Sequence, residues 1–493
     1  MPSDYLLAID QGTTGTTALL IGHDLRVMGR QTIDFPQHYP KSGWVEHDPE
    51  EIWLSARRAV IRLFEETGIT ANSLAAVGIT NQRETTLLWE RHTGHPVGHA
   101  IVWQCRRSAQ ICEELRHAGY ETTVRAKTGL VIDPYFSATK LTWMLRNDSA
   151  TRRRAADGDL AFGTIDSFLV WRLTGGTQHV TDASNASRTL LMDLETLKWD
   201  DDLCRLFEVP ANILPRISPS AQVYGTTSGL DFLPDGIPIA GMAGDQQAAL
   251  FGQACFAPGQ SKCTYGTGAF ILENIGERPL ASRHGLLTTV AWQLSDKTCY
   301  AFEGSAFIAG AAVQWLRDGL SLLRNAAEVE ALAASVPDSD GVTFVPALAG
   351  LGAPHWRSEA RGMIAGLTRR TTAAHLARAT LEGIALQIHD LVMAMEEDRG
   401  ERLSLLKVDG GAAQNNLLMQ LQADLLGRPV SRPVTVETTA LGAAMLAGLA
   451  VGFWSSLEDL ARSWQEERRF APAPAPGWRD ELLQRWHTAV NKA

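Results

Sequence analysis

Two short turns rich in glycine and threonine, one in each half of the chain, most constrain the fold of this sequence. The first turn, at 10–17, reads Asp-Gln-Gly-Thr-Thr-Gly-Thr-Thr and lies between the apolar runs 5–9 and 18–21. The second turn, at 264–268, reads Thr-Tyr-Gly-Thr-Gly and also lies between apolar stretches. Since apolar runs on both sides of a tight turn predict a β-hairpin, we expect a similar hairpin in each half.

The residue types in these turns suit a phosphate ligand. Glycine lets backbone N–H groups approach a ligand closely, and threonine hydroxyls add further donors. A single turn of this kind is more often a purely conformational one. Here the motif occurs twice, and Gly410-Gly411 adds a third segment where a predicted strand passes into a helix with free backbone N–H groups. We interpret the three segments together as a site that grips one nucleotide from both sides.

The order of predicted elements indicates a mixed α/β sheet in each half. In the first half, strands at 5–9, 18–21 and 27–35 precede a helix between Asp48 and Gly68, and strands at 74–80 and 237–243 follow. The second half has predicted strands at 261–264, 269–274 and 405–408 and predicted helices at 307–316, 372–395 and 415–426. A chain of 493 residues is too long for one core. We therefore predict an N-terminal domain at 1–252 and a C-terminal domain at 253–493.

Charge, cysteine usage and hydropathy exclude several classes of protein. The net charge of −10, without a basic stripe, argues against a nucleic-acid partner. The apolar stretch 440–454 is interrupted by glycines and is short for a membrane span, so we expect no membrane insertion. The six cysteines form no CxxC pair, and the N-terminus shows no signal-peptide pattern. We expect a cytoplasmic protein that handles small molecules and forms a homo-oligomer, either a dimer or a tetramer.

Two aspartates at predicted strand ends are the first candidates for chemistry. Asp10 either stabilises its turn or holds Mg²⁺ on the phosphates, through water. Asp245 either caps the helix that begins at Gln246 or faces a cleft as the base for an alcohol nucleophile. Position alone leaves the two interpretations of Asp245 about even, and they are compatible.

Arg83 and Glu84 follow another predicted strand. A surface ion pair is the simplest interpretation of such neighbours. They also suit a hydroxyl clamp, because arginine donates hydrogen bonds and glutamate accepts them from vicinal OH groups. Trp103 and Phe270 have the usual role of core aromatics or cover the carbon face of a small polyol.

Eight segments, in a fixed order, resemble the FGGY carbohydrate kinases. They are GWVEHDPEEIW (43–53), GITNQRETTLLW (78–89), TDASNASRTLLMDL (181–194), AGDQQAALFGQ (243–253), TYGTGAF (264–270), EGSAFIAGAAVQWLRDGL (303–320), GLGAPHW (350–356) and VDGGAAQNNLLMQLQADLLG (408–427). The resemblance implies an α/β fold of two actin-like (ribonuclease H-like) ATPase domains with mixed sheets flanking a central cleft. It also implies phosphorylation of glycerol to sn-glycerol 3-phosphate, with ATP and Mg²⁺.

The resemblance further implies roles for individual residues. The residues similar to the family's glycerol site are Arg83, Glu84, Tyr135, Asp245 and Gln246, with Trp103 and Phe270 as an apolar wall. The residues similar to its nucleotide contacts are Thr13, Thr14, Gly15, Thr267, Gly310, Gln314, Gly411 and Asn415. Asp10 resembles the metal-side aspartate, and Asp245 resembles the catalytic base.

Four positions depart from the family pattern. Thr17 stands where the family usually has arginine, so one expected cation near the phosphates is missing. Cys105 and Arg357 each replace a usual aspartate. Gly236 stands where some bacterial members have an arginine that serves inhibition by fructose 1,6-bisphosphate, so this chain lacks that arginine.

Three other functions stay open at this point. A kinase for a larger polyol or a ketose would use the same scaffold, although Trp103 and Phe270 would crowd a longer carbon chain. A non-catalytic nucleotide-gated switch would not need Asp10 and Asp245, which are both present. A chaperone-like ATPase of the same superfold would need a peptide-binding domain, and the sequence shows no separate one.

Overall fold

The computed structural model describes residues 4–295, 297–357, 359–473 and 477–493. The strands are β1 Tyr5–Gln11, β2 Gly15–Gly22, β3 Val27–Asp34, β4 Glu46–His47, β5 Leu74–Asn81, β6 Leu87–Glu90, β7 Ala100–Ile101, β8 Leu160–Gly163, β9 Val180–Asp182, β10 Met192–Asp193, β11 Lys198–Trp199, β12 Arg216–Ser218, β13 Ala221–Thr226, β14 Pro238–Gly244, β15 Ser261–Tyr265, β16 Ala269–Gly276, β17 Leu287–Leu294, β18 Lys297–Ala306, β19 Thr343–Val345, β20 Met363–Ala365, β21 Leu406–Asp409, β22 Val430–Pro433 and β23 Glu466–Phe470.

The α-helices are α1 Pro49–Thr67, α2 Ala109–His117, α3 Glu121–Thr128, α4 Ser137–Asn147, α5 Ser149–Asp157, α6 Ile165–Leu173, α7 Ala183–Ala186, α8 Asp201–Leu206, α9 Asp245–Gly252, α10 Gly310–Asp318, α11 Glu328–Ala334, α12 Ala373–Arg399, α13 Asn416–Leu426, α14 Thr438–Ala450, α15 Leu457–Ser463 and α16 Trp478–Val490. Short 3₁₀ turns cover Ala71–Ser73, Ala211–Ile213 and Gly411–Gln414.

The large mixed sheet has two parts that share the same arrangement of six strands, and the second part adds β17 beside β18. The first part has the order β3-β2-β1-β5-β14-β13, and the second has the order β17-β18-β16-β15-β21-β22-β23. In the first part β1 is antiparallel to β2 and parallel to β5, and in the second β15 is antiparallel to β16 and parallel to β21. The parts join where Ala221 of β13 pairs with Leu294 of β17. The predicted hairpins and the mixed sheet in each half are confirmed.

Local sequence explains why α1 forms where it was predicted. The Asp48 side chain accepts a hydrogen bond from the Glu50 backbone N–H at 2.9 Å, and Pro49 occupies the first helical position. Gly68 ends the helix in the left-handed region, with a φ of 66°. The apolar face of the helix belongs to the same buried core as β1 and β5. This core fixes the strands whose ends carry Asp10 and Arg83.

The helices α9 and α14 cross where the two parts of the sheet meet. A Cβ added at Gly442 of α14 would lie 1.8 Å from the Ala248 carbonyl oxygen of α9, so only glycine fits there. The glycine-interrupted apolar stretch therefore forms a packed helix inside the protein. Within the described ranges, no helix is both long enough and apolar enough to cross a membrane.

The helix α10 begins at Gly310 and not at Phe307 as predicted. The backbone N–H groups of Ala309 and Ala311 donate to the Thr267 carbonyl at 2.8 and 3.0 Å, and that of Gly310 donates to the Gly266 carbonyl at 2.9 Å. These bonds to the second Gly/Thr turn replace an earlier helical turn. The start of α10 is consequently held directly on that turn.

Candidate active site

A cavity of about 550 Å³ lies between the two parts of the sheet. Both Gly/Thr turns and several of the predicted polar residues reach it. The predicted site residues that line it are Thr13, Thr14, Arg83, Glu84, Trp103, Tyr135, Asp245, Gln246, Thr267, Phe270 and Gln314. Residues far apart in the chain thus meet in one place.

A second cavity, of about 400 Å³, continues from the first. Gly266, Thr267 and Gln314 line both cavities. The second cavity also contains the predicted nucleotide residues Gly310, Gly411 and Asn415, and apolar side chains of α10, α11, α12 and α13 complete its walls. An apolar groove beside a phosphate-binding turn suits the flat base and the sugar of a nucleotide.

Gly410 brings the third predicted segment against the second turn. Its φ is 85°, and a Cβ at this position would lie 2.6 Å from the carbonyl oxygen of Tyr265. Only glycine combines this backbone conformation with so close an approach. The N-cap of α13 follows at Asn415, whose side chain accepts from the Leu418 backbone N–H at 2.9 Å.

Gly15 and Asp10 do not line the larger cavity. Gly15 opens β2 and pairs with Asp34 of β3. Asp10 lies in β1 behind the turn, where it pairs with Thr17 of β2. The pKa of Asp10 is raised from 3.8 to about 8, first by burial and then by the nearby carboxylates of Asp245 and Glu437.

The surroundings of Asp10 fit a divalent cation. Like charges crowd this carboxylate, and carboxylate oxygen is a ligand that Mg²⁺ prefers. Across the described ranges, no group of three or more His, Cys, Asp and Glu side chains could hold a metal ion. Mg²⁺ usually keeps several waters and binds one or two carboxylates together with substrate phosphates. These residues therefore fit an ion that depends on the nucleotide for its remaining ligands.

The raised pKa of Asp10 predicts how the stability of the ligand-free protein depends on pH. Between pH 3.8 and about 8 the folded state holds a proton that the unfolded state has released. The free energy of unfolding should therefore fall as the pH rises through this range, because the unfolded state binds fewer protons. In Asp10→Asn the side chain stays neutral, so this contribution should be absent. Unfolding midpoints of both proteins with a metal chelator, from about pH 5 to about pH 9, measure it.

Asp34→Asn, which changes an exposed carboxyl group on β3, is the matched control and should leave the pH profile unchanged. A constant difference between the midpoints of the wild type and Asp10→Asn at every pH would contradict the prediction.

Asp245 both begins a helix and faces the cavity. It is the first residue of α9, directly after β14, and Gly244 occupies the N-cap position. One Asp245 carboxylate oxygen accepts from the Gln246 backbone N–H at 2.7 Å and lies 3.0 Å from Arg83 Nε. Its side chain is 29% exposed. The interpretation of Asp245 as the helix cap is therefore wrong, since Gly244 holds that position and the Asp245 side chain bonds the N–H of its immediate neighbour. The side chain does line the cavity, as the other interpretation requires.

Arg83 and Glu84 are buried, so the interpretation as a surface ion pair is wrong. They are only 3% and 1% exposed, and Arg83 Nη2 donates to the Tyr135 hydroxyl at 3.1 Å. Glu84 has a φ of 59°, which is unusual for a residue other than glycine. Its carbonyl accepts from Thr86 Oγ1 at 2.9 Å and from Ser137 Oγ at 3.1 Å. Such strain, held by neighbouring bonds, is typical of a binding site.

Trp103 contacts both the first Gly/Thr turn and the side chains beside Arg83 and Glu84. Its indole Nε1 donates to Thr13 Oγ1 at 3.0 Å. Its ring lies edge-on to Tyr135 and Phe270, with centroids 5.7 and 6.3 Å away. The predicted apolar wall is therefore assembled next to the predicted clamp.

Four buried polar residues of the site were missed from the sequence: Arg188, Gln247, Lys262 and Glu303. Arg188 Nε donates to Glu84 Oε1 at 2.7 Å, and Lys262 Nζ donates to the Gln246 side-chain oxygen at 2.5 Å. Burial lowers the pKa of Lys262. Glu303 is a single acidic residue in the otherwise apolar middle of β18. An acidic residue in such a segment was the sequence feature that could have identified it as part of the site.

Besides burial, Arg188 changes the pKa values of the two buried carboxyl groups, Glu84 and Glu303. Burial raises the pKa of Glu84, although Arg83 and Arg188 oppose that effect. Burial also acts to raise the pKa of Glu303, but Arg188 and Arg83 outweigh it and the pKa is lowered. Glu303 accepts from Arg83 Nη2 at 3.1 Å and from Arg188 Nη2 at 2.8 Å.

The departures from the family pattern have local explanations. Thr17 lies across the hairpin from Asp10, and the cation that acts on Asp10 is instead Arg30 of β3. Arg357 Nη1 donates to the Val490 carbonyl at 2.9 Å and so holds the end of α16. Cys105 is fully buried and accepts from an arginine Nε at 3.0 Å. Gly236 has a φ of 94° and open space around it.

Comparison with known proteins gives a consistent result over the whole chain. The N-terminal domain model of the FGGY family of carbohydrate kinases matches residues 5–252, and the C-terminal domain model matches residues 261–451. The chain is 60% identical to a glycerol kinase of Myxococcus xanthus, covering 99% of both chains. It is 58% identical to a glycerol kinase of Aromatoleum aromaticum, covering 99% of this chain and 98% of the relative.

A solved structure of glycerol kinase from Plasmodium falciparum with ADP is also similar. It is 36% identical and superimposes with a TM-score of 0.92, covering 100% of this chain and 98% of that chain. The predicted α/β fold of two actin-like ATPase domains around a cleft is confirmed by this likeness.

Proposed function

The chain belongs to the FGGY family of carbohydrate kinases, and from this premise we propose that it transfers the γ-phosphoryl group of ATP to glycerol, which gives sn-glycerol 3-phosphate. One observation carries the proposal: a small buried hydroxyl clamp with an aromatic wall shares a cavity with both Gly/Thr turns. The relatives and the solved neighbour described above are glycerol kinases.

The acceptor is held by polar groups on one side and by aromatic rings on the other. Arg83 and the Tyr135 hydroxyl donate to the glycerol oxygens, and Glu84 accepts from a glycerol hydroxyl. Gln246 contributes a further polar contact beside Asp245. Trp103 and Phe270 cover the carbon face, which leaves room for a short chain.

Asp245 acts as the general base. Its carboxylate reaches the cavity at the end of β14, and it accepts the proton of a terminal glycerol hydroxyl while that oxygen attacks the γ-phosphorus. Phosphoryl transfer depends mainly on positioning and on stabilising charge. Arg83, whose Nε lies 3.0 Å from it, orients this carboxylate.

The nucleotide lies across the two adjoining cavities. Thr13, Thr14 and Thr267 hold phosphate oxygens, and Gly15 shapes the first turn behind them. Gly310, Gln314, Gly411 and Asn415 border the base and sugar. Mg²⁺, held by Asp10 through water, would neutralise charge on the phosphate oxygens. Closure of the two domains over the cavity would exclude water, which would otherwise accept the phosphoryl group.

The choice of acceptor is tested by comparing substrates. ADP release should depend on glycerol, and kcat/KM for glycerol should exceed those for xylulose and gluconate by roughly 100-fold or more, because a longer chain would meet Trp103 and Phe270. Coupled ADP-release assays with each compound at matched concentrations measure this. A preference for either sugar compound would mean a kinase for a longer acceptor, and ATP hydrolysis with no transfer would favour a switch.

We also propose the division into domains at 1–252 and 253–493. It is supported by the weak link between the two parts of the sheet, where one residue pair connects β13 to β17.

We further propose that the protein is a homo-oligomer, either a dimer or a tetramer, with a cytoplasmic location. The six cysteines are buried free thiols, as suits a reducing compartment. Sedimentation of the purified protein tests the oligomeric state.

A further inference from the structure

We propose that Arg188 and Glu303 are positioning residues for the acceptor, which hold Arg83 and Glu84 in the geometry that binds glycerol hydroxyls. This inference rests on the proposed function, because it concerns the same acceptor site. Neither residue lines the cavity, so both act through the clamp.

The four side chains form a buried network of alternating charge. Glu84 accepts from Arg188 at 2.7 Å, and Glu303 accepts from Arg188 at 2.8 Å and from Arg83 at 3.1 Å. Arg83 Nε lies 3.9 Å from Glu84 Oε1, and this contact closes the ring of four side chains. All four side chains are 2% exposed or less, and their formal charges cancel. Because water is largely absent around these side chains, the local dielectric is low and each charge interacts strongly with its partners. The position of each side chain therefore depends on the others.

The network connects the two halves of the chain. Arg83, Glu84 and Arg188 belong to the first half, whereas Glu303 lies on β18 in the second half. The clamp that faces the acceptor is therefore oriented by a carboxylate from the opposite side of the cleft. A change at Glu303 should reach the acceptor although Glu303 does not touch it.

Arg188 has a further contact with the acceptor site. Its guanidinium carbon lies 5.6 Å from the Tyr135 ring centroid and 5.2 Å from that of Phe136, within the range of cation–π attraction. Among the described residues, its Nη1 has no hydrogen-bond partner although it is buried. Arg188 thus contacts Glu84 of the clamp and the ring of the neighbouring Tyr135, while its Nη1 stays without a partner in the described part of the chain.

Stability alone does not explain such a network. A buried ion pair can often be replaced by neutral or apolar residues with little loss of stability, whereas removing one partner is costly. A pair of variants exploits this difference: Arg188→Gln and Glu303→Gln each unbalance the charge, and the double variant restores the balance. The double variant should therefore unfold closer to the wild type than either single variant does.

The positioning role predicts a separate effect on the acceptor. In the double variant, KM for glycerol should rise roughly 10- to 100-fold, as expected for the loss of hydrogen bonds between charged groups, while KM for ATP stays unchanged. Steady-state kinetics on the full chain, together with thermal unfolding, measure both effects. A wild-type glycerol KM in the double variant would overturn the proposal. Arg188→Lys, which keeps the charge but loses the fork of donors, should give an intermediate glycerol KM.

The matched control removes an exposed ion pair. Asp202 and Arg205 are 66% and 72% exposed and lie apart from the cavity, so the double variant Asp202→Asn/Arg205→Gln should change neither KM. If the wild type phosphorylates a longer polyol and not glycerol, the proposed function fails. The same KM comparison with that polyol then tests Arg188 and Glu303 independently.

Discussion

Asp245→Asn should lower kcat for glycerol phosphorylation by roughly 10²- to 10⁴-fold, the usual contribution of a positioned general base. The asparagine amide cannot accept the hydroxyl proton at neutral pH. Its side-chain oxygen can still accept from the Gln246 backbone N–H, so the start of α9 should persist. The measurements are kcat with saturating glycerol and ATP, and the unfolding midpoint of the same preparation.

The unfolding midpoint of Asp245→Asn should stay near that of the wild type, because this side chain is 29% exposed. Asp318→Asn, which changes an exposed aspartate at the end of α10, is the control and should keep full activity. If phosphorylation by Asp245→Asn proceeds within a few-fold of the wild-type rate, Asp245 serves the helix start alone.

Arg83→Met should damage both stability and acceptor binding. The methionine fills much of the same space but leaves Glu303 with one cationic partner in place of two. Leaving a buried charge without its partner typically costs about 3–5 kcal/mol in the free energy of unfolding. The variant also loses the bonds to Tyr135 and Asp245, so kcat/KM for glycerol should fall by roughly 100-fold or more. Denaturant unfolding and steady-state kinetics measure the two effects.

The control for Arg83→Met is Arg57→Met, because Arg57 pairs with Asp231 at the surface, where the two side chains are 33% and 65% exposed. An exposed pair contributes about 0–1 kcal/mol, so stability and activity should barely change. A glycerol kcat/KM near the wild-type value in Arg83→Met would remove Arg83 from the acceptor site. Unaltered stability would mean that the buried network does not depend on it.

Much of the fold follows from short segments of sequence. The hairpins at both Gly/Thr turns were predictable because apolar runs flank a few turn residues, and α1 was predictable because Asp48, Pro49 and Gly68 mark its ends. The start of α10 was predicted too early, because it depends on carbonyls of a turn that is distant in sequence. Local patterns therefore gave the elements and missed a boundary that a tertiary contact sets.

The candidate site was predicted in part from residues and in part from resemblance. Asp10, Asp245 and the Arg83–Glu84 pair stand out because polar residues follow apolar strands. Their assembly depends on the fold, since Arg83 meets Asp245 and Glu303 only after both halves have packed.

By itself, the sequence determined the repeated hairpin, the α/β class and the residues able to bind phosphate and hydroxyl groups. These properties depend on residues near one another in the chain, where hydrogen bonding and apolar periodicity act locally. Only the tertiary structure decided that Arg83 and Glu84 are buried, that Arg188 and Glu303 join them, and that both turns face one cavity. The physical reason is that burial and charge pairing depend on distance in space, and neighbours in sequence do not specify it.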